Sequence, residues 1–464
     1  MIKAGKFTAS FSSAGFDRAV QKFISSPRSR AAFFDNPSRA AGTGSRMASC
    51  YTLSTETRNH KAEGYREEGR HGFCMTSTYD ISFDWVHIHY DELKSFTETY
   101  GFAGNQGAVN LEGVLIRPTG VASDTLQIYM HPASTLQLLP VPREAAKRGA
   151  HVLCAGSRYA RNDTACILEN VLLDLGAYIR HAKSAWGYKR IVLVGWSGGG
   201  SLSLFYQAQA ERPSITHTPA GDPVDLTKAG LIPADGVIFQ AAHSSRAKLL
   251  LDIIDPSVLD ELDPDNRDKG LDIYAGTVQP PYSADFIARY RAAQLVRVRR
   301  ITAWVKETLE RLKSAGGAER ERGFVTHRTL ADPRFLDATL DPNDRPIGRC
   351  YLGVPETVNS GPVGLARFST LRAWLSQWSI DDTNGEGVAN AARISAPLLF
   401  IENSADDAVP QYHCRSVFDA ATTADKQHVI MQGATHYYVG QPDHLDRATA
   451  LTETWLSERG LLGR

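Results

Sequence analysis

The stretch from Ile191 to Ala208 leaves the chain few options. Ile191-Val192-Leu193-Val194 is a continuous aliphatic run, the composition of a strand covered on both faces. Gly195-Trp196-Ser197-Gly198-Gly199 follows, and Ser201 to Ala208 can then run as a helix. A doubly buried strand that turns at glycines straight into a helix belongs in a parallel sheet. The glycines permit a sharp turn and close strand–helix packing. The turn, which fits G-x-S-x-G, presents the Ser197 hydroxyl at the helix N-terminus. A plainer reading stands beside this one: a glycine-rich turn whose serine only caps a helix.

The flanking sequence keeps the same rhythm. "ISFDWVHIHY" (81–90) alternates as a half-buried strand does, with His87 and His89 on one face and no third ligand to make them a metal pair. Residues 109–120 and 125–134 read as two strands joined by a Pro/Gly turn. A short helix over 142–149, a strand over 150–156 and a helical stretch over 163–187 come next. After the Ser197 unit, 234–243 is another strand. The pattern resumes with a strand and polar loop over 396–410, a helix near 411–421, a strand over 426–436 and a last helix near 445–459. This alternation predicts an α/β fold with a mostly parallel, doubly wound sheet. Residues 244–393 break it: 281–317 and 365–378 read as helical, and the stretch between them is dense in Pro, Asp and Gly. So long an interruption is expected to form a cap or lid over the carboxyl edge of the sheet, where open α/β sheets bind ligands. The predicted organisation is a leader over 1–48, a first core segment over 49–243, an insertion over 244–393 and a second core segment over 394–464.

Composition excludes several classes. The 464 residues carry 51 basic and 51 acidic side chains, a formal net charge of zero, so no global field favours nucleic acid or an anionic membrane. No apolar run approaches the roughly 20 residues that cross a bilayer. Cys50, Cys74, Cys154, Cys166, Cys350 and Cys414 show no metal or disulfide spacing, which points to a reducing, cytoplasmic setting. Residues 1–48 hold eight Lys+Arg against two Asp and no Glu. That bias fits a disordered leader, a start at Met47, or a signal for organelle import.

A serine hydroxyl needs a base to take its proton, an acid to orient that base, and donors for an oxyanion. After Ser197, the loop "NSADDAVP" offers Asp406 and Asp407 at one strand end, and "GATH" offers His436 at the next. With this order and placement the chain resembles the α/β-hydrolase-fold serine hydrolases over roughly 109–243 and 394–462. Asp406-Asp407-Ala408-Val409-Pro410 matches that family's Asp-x-x-Val-Pro stretch and favours Asp406; Gly433-Ala434-Thr435-His436 matches its Gly-x-x-His. The strand before the first helix usually ends there in His-Gly. Here His131-Pro132-Ala133-Ser134 stands instead, and proline has no amide hydrogen to donate.

The resemblance implies catalysis by Ser197, His436 and Asp406 through an acyl-enzyme. Its oxyanion hole would be built from the amide of Gly198 with that of Ala133 or Ser134. No metal or organic cofactor is required. Trp196, His243 and Tyr437 are candidate pocket residues, and His131 reads as an organiser of its loop. The expected substrate is a small carboxylic ester. Trp196 and the insertion's Trp304, Trp374 and Trp378 suggest an apolar or aromatic part to it, although core packing explains those tryptophans equally well. A carbon–carbon bond hydrolase, an acyltransferase or a lyase could use the same residues, and a non-catalytic binding protein could retain the fold. A homodimer is one option for the assembly.

Overall fold

The computed structural model describes residues 78–91, 104–105 and 108–463. The expectations placed on the basic segment 1–48, and on Cys50 and Cys74, lie outside these. Nine strands form the main sheet: β1 (Ile81–Asp91), β2 (Gly104–Asn105), β3 (Ala108–Pro118), β4 (Thr125–His131), β5 (His151–Gly156), β6 (Arg190–Ser197), β7 (Gly236–Ala242), then β10 (Leu398–Asn403) and β11 (Lys426–Met431). The small pair β8 (Gly323–Val325) and β9 (Phe368–Thr370) lies in the insertion. The order is β1-β3-β5-β4-β6-β7-β10-β11, with β2 beside β3. The β1–β3 and β3–β5 pairs are antiparallel, and every pair from β5 to β11 is parallel. The predicted α/β class is borne out.

The inner strands are buried on both faces, and their alternate residues feed two cores. Leu126, Ile128 and Met130 of β4 and Ile191 and Leu193 of β6 pack on one side. They meet helices α2 (Leu168–Ser184), α3 (Gly198–Glu211), α8 (Gly387–Ala391) and α9 (Gln411–Ala420). Tyr129, Val192, Val194 and Trp196 face the other side, where α1 (Pro140–Lys147) and α10 (Pro442–Glu458) cover them. Each fully buried aliphatic side chain stabilises this arrangement by about 1.5–3 kcal/mol.

Several boundaries differ from the sequence reading. β3 and β4 are not neighbours, because β5 lies between them. Pro118 to Gly120 ends a strand, but a turn signal does not say which strand the chain will pair with. Helix α2 starts at Leu168, not near Asp163. The Asp163 carboxylate is held by Arg246, and its carbonyl accepts from Gln377 Nε2 at 3.0 Å. In 365–378 the first residues extend as β9 against β8, and α7 (Leu371–Gln377) starts only after Thr370 caps it. β11 stops at Met431, so the turn that carries His436 is longer than expected.

Residues 244–393 also hold α4 (Arg246–Ile253), the long α5 (Ala284–Ala315) and the short α6 (Pro355–Ser360). Ser283 Oγ accepts from Phe286 N at the start of α5, and Gly316 ends the helix at φ 62°, the left-handed conformation glycine adopts without strain. Val298, Ile301, Val305, Leu309 and Leu312 of α5 pack with Trp374 and Trp378. Trp304 is 41% exposed. No helix among the described residues is long and apolar enough to cross a membrane.

Candidate active site

β6 runs into α3 through Ser197, whose backbone sits at φ 53° and ψ −123°. For a residue with a side chain this conformation costs on the order of 1–3 kcal/mol. The turn is so tight that a Cβ on Gly195 would lie 2.5 Å from the Gly199 oxygen. Ser197 occupies the N-cap position but makes no side-chain capping bond. The plainer reading of this serine therefore fails: its hydroxyl does not serve the helix. It lines a cavity of about 110 Å³ at the carboxyl end of β6.

His436 follows β11 and Asp406 follows β10, so two adjacent parallel strands deliver them to the same edge. Asp406 Oδ2 lies 2.8 Å from His436 Nδ1, with both residues buried. Asp406 Oδ1 accepts from Ala408 N and Val409 N at 2.8 Å each, which fixes the carboxylate. Trp196 stacks at a tilt on the His436 ring, centroids 4.5 Å apart, and its Nε1 donates to the His436 carbonyl at 3.3 Å. With Nδ1 engaged, Nε2 is the nitrogen left for chemistry. No hydrogen bond joins it to Ser197 Oγ here; a nucleophile–base bond of this kind often tightens only in the substrate complex. Asp407 is half-buried. Burial and then the neighbouring Asp406 charge raise its carboxyl above the usual range. It does not cap α9, whose N-cap Pro410 offers no side-chain bond.

The loop after β4 departs from the sequence expectation. The amides of Ala133 and Ser134 both donate to His131 Nδ1, at 3.1 and 3.0 Å. Two donors on Nδ1 leave the proton on Nε2. That nitrogen is packed against the residue after the nucleophile: a Cβ on Gly198 would lie 2.6 Å from it. Burial, then the Arg246 guanidinium, then His436 hold His131 neutral. A neutral ring with an Nε2–H facing the elbow is a donor that sequence reasoning took only for a loop organiser. No sequence pattern reports which way such a ring turns.

Trp196, His243 and Tyr437 all line the cavity. Tyr437 lies edge-on to His436 at 4.8 Å, and burial pushes its hydroxyl up to about 12. The insertion adds Arg246, Leu249, Tyr351, Leu365 and Trp378 to the walls. Of the insertion's tryptophans weighed from sequence, Trp378 alone reaches this cavity. Trp374 is core, with its Nε1 on Thr302 Oγ1 at 2.9 Å.

Two other clusters mimic a site. Ser244, His413 and Asp252 form a second serine–histidine–aspartate row, with His413 Nε2 2.8 Å from Asp252. All three are buried, and the Ser244 amide also donates to His413 Nδ1, so the row ties α4 to α9 and offers no nucleophile. Glu402, Cys414 and His428 hold metal-ligating atoms within 4.8 Å of one another. The Glu402 carboxylate is already bonded to His428 at 2.9 Å and Arg415 at 3.2 Å, and burial pushes the Cys414 thiol up. His87 and His89 share Asn110 Oδ1 on an exposed strand face, as partners of an asparagine.

The strand order and the strained serine between β6 and α3 define an α/β-hydrolase fold. The chain matches no protein-family model and no curated protein. Among solved structures it is similar to Est1E from Butyrivibrio proteoclasticus, at 12% identity and a TM-score of 0.41 over 77% of this chain and 97% of that one. It is similar to the Paleococcus ferrophilus monoacylglycerol lipase, at 14% identity and a TM-score of 0.38 over 75% and 98%. It is also similar to brefeldin A esterase, a bacterial homologue of human hormone-sensitive lipase, at 13% identity and a TM-score of 0.40 over 84% and 78%.

Proposed function

We propose that the protein is a serine hydrolase that cleaves a carboxylic ester of a small molecule. Ser197 Oγ attacks the substrate carbonyl carbon while His436 Nε2 takes its proton. Asp406 orients the imidazole and stabilises its cation. The oxyanion is met by the Gly198 amide, the first of α3 and without a partner inside the helix, and by the Nε2–H of His131. The tetrahedral species expels the alcohol with the proton from His436. Water, deprotonated by the same imidazole, then attacks the acyl-serine carbonyl, and the acid departs as Ser197 regains its proton.

Residues 244–393 serve as a cap, and the aromatic walls formed by Trp196, Tyr351 and Tyr437 receive an apolar or aromatic part of the substrate. The observation that carries this reading is the buried Asp406–His436 pair, set at the same sheet edge as a strained serine that caps nothing. A fluorophosphonate probe should label the wild-type chain and not Ser197→Ala. Ser197→Ala should also lower turnover of 4-nitrophenyl esters by at least roughly 10⁴-fold without unfolding the protein. Retained turnover in that variant would remove Ser197 from the mechanism.

A further inference from the structure

The Ser197 cavity contains unspent polarity. His243 Nδ1, Arg246 Nε, Tyr351 Oη and Trp378 Nε1 are buried and have no hydrogen-bond partner. All four side chains line this one cavity. Buried polar atoms without partners cost on the order of 1–3 kcal/mol each. A group of them around one cavity therefore marks a place where something else supplies the partner. Three of the four are obligate or natural donors, so that partner is rich in acceptors.

Arg246 gives the partner a sign. It is 4% exposed, its guanidinium lies over the Trp378 ring at 4.3 Å, and one end is held by Asp163. The ion pair and the stacking fix the planar group while its Nε–H stays unused. A second cavity of about 400 Å³ adjoins the first and shares His131, Ser134, Arg246 and Leu365 with it. Its rim carries the exposed Arg161, which has no ion-pair partner among the described residues. Arg161, Asp163 and Arg246 together leave one unbalanced positive charge at the entrance.

We infer that the substrate carries a carboxylate, received by the guanidiniums of Arg246 and Arg161 between the two cavities, with Tyr351 and His243 as further hydrogen-bond partners of the bound molecule. This rests on the serine-hydrolase reading and narrows it: the ester has an aromatic or apolar body and an anionic end. Arginine suits the task, because its charge is permanent and its fork matches a carboxylate. Burial holds the two histidines of the site, His243 and His131, low, and Arg246 is among the further causes for both.

The test compares two near-isosteric pairs of esters on the full chain. The mono-4-nitrophenyl ester of glutaric acid against 4-nitrophenyl pentanoate places the charge on the acyl side. Then 4-acetoxybenzoate against methyl 4-acetoxybenzoate places it on the alcohol side. In at least one pair the anionic ester should show a kcat/KM about tenfold or more higher, and the preference should shrink as ionic strength rises. Arg246→Gln and the exposed Arg161→Ala should each reduce that preference ratio several-fold. A purely structural Arg246 would change both esters of a pair alike and leave the ratio where it was. Equal or reversed preference in both pairs overturns the anion site while ester hydrolysis stands, as does a ratio unchanged in both variants. If no ester is cleaved and the fluorophosphonate does not label Ser197, both readings fall.

Discussion

Two neighbouring aspartates compete for one imidazole, and the geometry separates them. Asp406 faces His436, while Asp407 is half-buried and its carboxylate bonds to no other side chain among the described residues. Asp406→Asn should disturb the histidine tautomer and cut turnover by as much as roughly 10⁴, with the fold kept. Asp407→Asn should cost little turnover, and steady-state kinetics on one activated ester separates the two. Asp407 has a further signature. Its folded pKa is raised, so the stability it contributes is present below the ordinary carboxylate range and is lost as pH rises through the folded value. Asp407→Asn should therefore melt with the wild type in acid and above it at neutral pH. His131→Ala asks a different question, because it frees the Ala133 and Ser134 amides as it removes the ring. If the ring is the oxyanion donor, kcat should fall roughly 10²–10³-fold with little change in KM. If the amides serve instead, kcat should hold. At this scale the turn at Ser197 and the pairing of His436 with Asp406 were legible, because each stands at a strand end in a local pattern. His131, Arg246 and Tyr351 were not, since their roles come from ring orientation and from contacts between segments far apart in the chain.

Helix α5 shows what an element needs beyond its own periodicity. It runs from Ala284 to Ala315 much as 281–317 suggested, with Ser283 and Gly316 at its ends and an apolar stripe packed in the insertion. Less visible was Arg297, buried in the middle of that stripe. It pairs with Glu261 at 2.7 Å and donates to the carbonyls of Asp255, His327 and Arg328. One side chain thus satisfies loops on both sides of the helix, where regular structure is scarce. Arg297→Ala should leave those carbonyls and Glu261 uncompensated and destabilise the protein by about 3 kcal/mol, measured by chemical denaturation. A loss under about 1 kcal/mol would mean that water replaces the guanidinium. The same principle explains the shifted starts of α2 and α7. Asp163 looks like a helix start in sequence, but its side chain and carbonyl are claimed by Arg246 and Gln377, and Phe368–Thr370 is claimed by β8.

On the scale of the molecule, the sheet's parallel half followed from the strand–helix rhythm, while the placing of β5 between β3 and β4 did not, because strand order depends on nonlocal pairing. The insertion is stitched to the core by buried polar bonds. Leu168 N donates to Ser376 Oγ, Ser376 Oγ and Asn384 Nδ2 donate to Glu169, and His413 meets Asp252. Heating should accordingly unfold the insertion and the sheet core together in one transition, with matching calorimetric and van't Hoff enthalpies. An earlier, separate transition of the insertion would contradict this. The division of labour across that seam has a consequence for descent. Ser197, Asp406 and His436 lie outside 244–393, while Arg246, Tyr351 and Trp378 lie within it. On the proposed function, the residues that break the bond thus lie outside the insertion, while part of the wall that selects the molecule lies within it. On that reading, variation confined to the middle stretch alters which substrate fits while the chemistry is inherited unchanged.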